Sequence, residues 1–140
     1  MRCAYTFQFK GVRLALRYAH KKFFSMYRQA PSSLKDLTKS EILLFLAFCN
    51  EMTYSDNGDG MHVDVRDGPF IEMCELCGVP VTDKHFADRM TSLIKKGFIQ
   101  RLRPHVYQIN PMMVNRGDEE SNYKSRLAWS AKNYTQKVEN

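Results

Sequence analysis

Three apolar rhythms run along this chain, and each predicts an element. Residues 38–52 are mostly apolar, with Ile42, Leu43, Phe45, Leu46, Phe48 and Cys49 inside, and the run opens on Thr38-Lys39-Ser40-Glu41, a capping box. The Thr38 hydroxyl can accept from the N–H of Glu41 while the Glu41 carboxylate accepts from the N–H of Thr38, so the spacing predicts a helix ending near Met52 at the centre of a core. A second helix is predicted over 67–76, with Ile71, Met73 and Cys74 inward and Gly78 as its C-terminal stop. Val79-Pro80-Val81 then reads as a turn, with Thr82 as the N-cap of a third helix and Asp83 in its first turn. Phe86, Met90, Leu93 and Ile94 recur at i, i+4, i+7 and i+8, one face of that helix, which Gly97 ends.

Strand periodicity takes over on either side. His62 to Val65 alternate like a short strand; residues 98–102 and 105–109 read as two strands joined at Arg103-Pro104. Ser55-Asp56-Asn57-Gly58-Asp59-Gly60 is a turn-rich loop; Gly58 at a ligand position and the missing glutamate separate it from a calcium-binding loop. Residues 3–9 and 12–19 predict two strands around Lys10-Gly11, or a strand and a short helix. Residues 21–37, with Phe23, Phe24, Met26 and Tyr27 ahead of Pro31-Ser32-Ser33, form a lead-in. After acidic Asp118, Glu119 and Glu120, the residues Tyr123, Leu127, Ala128 and Ala131 predict a short amphipathic helix flanked by Trp129. Its three readings are a tail packed on the domain, a dimerisation helix or a docking segment for a host protein. The division expected is an N-terminal extension at 1–30, a central domain at 31–117 and a helical tail at 118–140.

Composition narrows the class. With 140 residues, 44% of them hydrophobic, the chain has material for one core. No apolar run approaches the roughly 18–20 residues of a membrane span, and Lys10 and Arg13 interrupt the N-terminal apolar stretch, so no membrane partner and a cytoplasmic location are expected. Cys74 and Cys77 form a C-x-x-C pair without a second half-site, which favours small buried hydrophobes over zinc or redox chemistry. No metal and no cofactor are expected.

Charge changes the picture more. The net charge is +6, and the middle segment, 41–78, holds one Arg against eight acids, whereas the basic residues gather at both ends. Between Lys84 and Arg116 there are seven Lys/Arg against one acid. The polar side of the third helix carries Lys84, Asp88, Thr91, Ser92 and Lys95, flanked by His85, Arg89 and Lys96; the tip of the following hairpin carries Arg101, Arg103 and His105. A helix with one apolar face and one face of long donors suits a major groove, and a cationic hairpin suits phosphates or a minor groove. Helix, turn, helix and hairpin predict an α+β fold, a winged helix-turn-helix with N- and C-terminal extensions. The predicted contacts with double-stranded DNA are Thr82, Lys84, His85, Arg89, Ser92, Lys95, Lys96, Arg101, Arg103, His105 and Arg116.

In LTKSEILLFLAF at 37–48, LIKKGFIQR at 93–101 and YQINPMMVNRG at 107–117, over about residues 20–117, the chain resembles winged-helix plasmid replication and maintenance proteins of the RepL kind. The resemblance implies binding to plasmid or phage DNA at an origin or operator, and not catalysis. Paired metal-binding histidines, a phosphate-cradling Gly-rich loop with Lys and an activated tyrosine are all missing from the sequence, so no enzyme is expected; Tyr107 reads as packing at the base of the hairpin. Replication would proceed by marking DNA and recruiting host replication proteins. A transcriptional repressor and a phage-type protein-interaction or inhibitor module on the same scaffold are the alternatives, and a homodimer fits any of them.

Overall fold

A computed structural model describes residues 24–27, 33–55, 57–116 and 119–139. The strands and helix expected over 3–9 and 12–19 lie outside the described residues. The elements in chain order are β1 (Ser25–Met26), α1 (Lys39–Glu51), β2 (Thr53–Ser55), β3 (Gly60–Asp64), α2 (Gly68–Leu76), α3 (Phe86–Lys95), β4 (Ile99–Arg103), β5 (Val106–Ile109), β6 (Val114–Asn115) and α4 (Glu119–Glu139). The fold is α+β, with two antiparallel sheets: β2-β3-β5-β4, and a small pair β1-β6.

α1 starts where the capping box predicts. The Glu41 N–H donates to Thr38 Oγ1 at 3.2 Å, and the Thr38 N–H donates to Glu41 Oε1 at 3.0 Å. Its deepest residues are Leu44, Phe45, Ala47, Phe48 and Cys49; Ile42, Leu43 and Leu46 are only partly buried, a rotation of the expected inner face towards Leu44 and Ala47. Phe45 and Phe48, one turn apart, reach different neighbours. Phe45 meets Phe98 edge-on, with centroids 4.9 Å apart, and Phe48 meets Phe70 of α2 at 4.8 Å. Such pairs add to the burial of apolar area and lock the angles between elements. Tyr107 packs in the same core, 6.3 Å from the Phe48 ring.

The four-stranded sheet lays Met61, Val63, Ile99, Tyr107 and Ile109 on this core. Its other side is covered by α4, which packs on β3. Gly60 makes that approach possible: φ is +59°, and a Cβ there would sit 3.1 Å from Gln108 Nε2 and 3.4 Å from Ser125 Cα. Under α4, Gln108 Nε2 donates to the Asp59 carbonyl at 2.8 Å; Gln100 Nε2 donates to Gln108 Oε1 and, at 3.3 Å, to the Trp129 carbonyl.

α4 inverts the amphipathic face expected of the tail. Asn122, Ser125 and Trp129 are buried, whereas Tyr123 and Leu127 are 62% and 55% exposed. The partner surface is the reason: it is a glutamine-bearing sheet face and the turn at Pro111, whose carbonyl accepts from Asn122 Nδ2 at 3.3 Å. Among the described residues no helix is long and apolar enough to cross a membrane.

Candidate nucleic-acid interface

α2 ends as expected. Gly78 has φ +79°, Cys77 N–H donates to the Met73 carbonyl and Val79 N–H to that of Cys74, which drives Val79 into the core. α3 begins three residues later than an N-cap at Thr82 predicts, with His85 in the N-cap position. The Asp83 N–H donates to the Pro80 carbonyl and the Phe86 N–H to that of Asp83, while the Asp83 carboxylate accepts from His85 N–H at 2.8 Å. These bonds hold 80–86 in successive turns, so Thr82, Lys84 and His85 stand exposed ahead of the helix rather than on its polar face. Asp83 is the residue that decides this, because an Asp side chain folded onto its own backbone competes with a helical start. His85 Nδ1 and Asp88 Oδ2 are 4.0 Å apart.

Outside the hairpin, four of the predicted contacts are engaged inside the molecule. Ser92 and Lys96 turn towards α1: the Ser92 side chain hydrogen-bonds Glu41, and Lys96 Nζ donates to Glu41 Oε1 at 3.1 Å and to the Asp36 carbonyl at 2.9 Å. Burial pushes the Glu41 carboxyl up, but its bonds to Ser92, the Thr38 N–H and Lys96 outweigh this and hold it below the usual carboxylate range. Arg89 folds back on Asp83, Nη1 to Oδ2 3.5 Å, with a side chain only 16% exposed. Arg116 lies against the C-terminus of α1, where its guanidinium donates to the carbonyls of Cys49, Asn50 and Met52 at 2.9–3.1 Å. Those carbonyls have no partner within the helix, so a long cation there completes α1.

The hairpin β4-β5 turns at Pro104-His105, between the paired residues Arg103 and Val106. Proline suits the first corner and a positive φ the second; His105 takes φ 69°, where glycine is the usual residue. Its carbonyl accepts from Val65 N–H at 2.9 Å, tying the tip to the end of β3. Arg101 and His105 are exposed. Arg103 is half-exposed and forked onto Asp59, Nη1 to Oδ1 3.1 Å and Nη2 to Oδ2 2.9 Å; this bidentate bond holds the Asp59 carboxyl below its usual range. Asp59 as the partner of Arg103 has no signature in the sequence, since 44 residues separate them.

The exposed groups include Lys84 and His85 before α3, a face of α3 made of Ala87, Asp88, Thr91, Ile94 and Lys95, and Arg101 with His105 on the hairpin. Ile94, expected inside, is 38% exposed, because Leu93 and Met90 fill the contact with the core. Asn110, flagged by the Asn110-Pro111 sequence, fastens hairpin to helix: its Nδ2 donates to the Gly97 carbonyl at 2.7 Å, just past α3. Cys74 is fully buried and burial pushes its thiol up to about 12; Cys77 is pushed up for the same reason. Neither is an activated thiolate. Among the described residues no group of three or more His, Cys, Asp or Glu could hold a metal ion. Comparison with known protein families, characterised proteins and solved structures finds no match to this chain.

Proposed function

We propose that this protein binds double-stranded DNA as a winged helix and serves the replication or maintenance of a plasmid- or phage-type replicon, by marking DNA for host enzymes. The observation that carries the reading is the order α1-β3-α2-α3-β4-β5, with β5 pairing back on β3 so that α3 and the β4-β5 hairpin are consecutive and both solvent-facing. That order, a helix-turn-helix pair followed directly by a hairpin, supports the winged-helix reading. The resemblance to RepL-type proteins in 93–101 and 107–117 supports a role at an origin. The exposed cations Lys84, Lys95 and Arg101 supply phosphate contacts.

Fluorescence anisotropy of a labelled mixed-sequence duplex, titrated at several salt concentrations, tests the reading. With about three phosphate contacts, log affinity falls against log salt with a slope near −3. No duplex binding at low salt overturns it. A second reading, a protein-interaction module, is favoured by the internal engagement of Arg89, Lys96, Arg103 and Arg116 and by exposed Tyr123 and Leu127. Under that reading a host protein is bound tightly without DNA and no origin is affected.

A further inference from the structure

We propose that α3 reads thymine 5-methyl groups in a major groove through Ala87, Thr91 and Ile94, and that Asp88 selects against guanine. This rests on the duplex-binding reading and specifies what the site recognises.

The exposed positions of α3 are 87, 88, 91, 94 and 95, which share one helical face. The planar side chains that read purines bidentately are missing from it, and its one cation, Lys95, sits at its C-terminal end. α3 contains no Asn or Gln, and its one Arg, Arg89, lies folded on Asp83. Thr91 donates its hydroxyl to the Ala87 carbonyl at 3.0 Å, so its one donor is taken by the helix backbone and cannot reach the O6 or N7 acceptors of a purine, while its methyl faces outward with the rest of this side. Ala87 and Ile94, one turn away on either side, extend that apolar surface. In the major groove the apolar group on a base edge is the thymine methyl.

Asp88 supplies the polar selection. Its side chain is 87% exposed and, as a carboxylate, accepts only. It matches the amino donors of cytosine or adenine and is repelled by the O6 and N7 acceptors of guanine. Lys84 before the helix and Lys95 at its end place positive charge at both ends of this face. Cations bracketing an apolar centre complement a groove whose phosphate rims flank methyl-bearing bases.

The test begins from duplexes selected by the full-length protein from a random pool. In the tightest of them each thymine is replaced in turn by deoxyuridine, which removes only the methyl. The expected result is a loss of roughly 3- to 5-fold at one or two positions, the value of one buried methyl. Thr91→Ser, which keeps the hydroxyl bond, or Ile94→Ala abolishes that loss at its own position, and Asp88→Asn admits guanine at a position that excludes it in the wild type. All three residues are solvent-facing, and thermal melting checks that each variant folds. Affinity indifferent to deoxyuridine overturns thymine reading while leaving duplex binding intact. Sensitivity unchanged in both Thr91→Ser and Ile94→Ala overturns the assignment of the residues. A protein that selects no duplex overturns the reading beneath it.

Discussion

Thr38 and Glu41 show how far a residue-level motif reaches. The capping box was legible because both partners lie within one turn, and it is present in full. That Glu41 also receives Ser92 from α3 and Lys96 from its C-cap was not legible, since nothing in the sequence relates positions more than 50 residues apart. Thr38→Ala should cost about 1 kcal/mol, read as a shift of the urea midpoint. Acid should act on the same residue. Glu41 and Asp59 are both held below their ordinary carboxyl values when folded, so each contributes stability that is fully present above its unfolded value, about 4, and is lost as pH falls through the lower folded one. Denaturation curves at pH 7 and pH 3 should show this loss. Glu41→Gln and Asp59→Asn should lower stability at pH 7 and flatten the decline in acid; an unchanged acid slope in both refutes the linkage.

Helices α1 and α2 and the hairpin were readable because each is specified by its own sequence: a cap, a period, a positive-φ stop. The start of α3 was misread because Thr82 and Asp83 both suit an N-terminus, and only the competing bonds of Asp83 decide between them. The burial of Gln100 and Gln108 was hidden for another reason. Polar residues in a strand read as solvent-facing, and α4, which covers them, comes from far along the chain. The hairpin cations should now behave differently from each other. Arg101→Ala should weaken binding to all duplexes with little change in stability. Arg103→Ala breaks the fork to Asp59 and leaves a nearly buried carboxylate alone, so it should lower the melting temperature as well. Equal effects of the two on both measurements would contradict this. Gly60→Ala should destabilise by about 1–3 kcal/mol, through the unfavourable φ and the crowding against Gln108 and Ser125.

At the scale of the molecule, α4 belongs to the fold rather than hanging from it. Trp129, the single tryptophan, lies on its buried side at 8% exposure, and Trp129→Ala should cost on the order of 3 kcal/mol. Removing residues 119–140 should therefore unfold or loosen the sheet, and cannot isolate a recruitment function. The double variant Tyr123→Ser/Leu127→Ser is the cleaner probe. It touches only exposed groups, so stability should change by less than about 1 kcal/mol and duplex affinity should hold. If α4 docks a host replication protein, replicon maintenance fails in that variant; unimpaired maintenance removes α4 from recruitment.

The ion pairs Arg103–Asp59, Arg89–Asp83 and Lys96–Glu41 have a consequence for life among competing sites. Bulk chromosomal DNA attracts a protein by charge alone and outnumbers any one target by a factor of a million or more. A cation that carries its own counterion contributes little to that indiscriminate attraction. On the proposed duplex-binding reading, the internal carboxylates would shorten the time lost on irrelevant sequence and leave recognition to shape and base edges. Neutralising one of them, as in Asp59→Asn, should raise affinity for random duplex more than for the selected site, and so make the protein a tighter but less discerning binder.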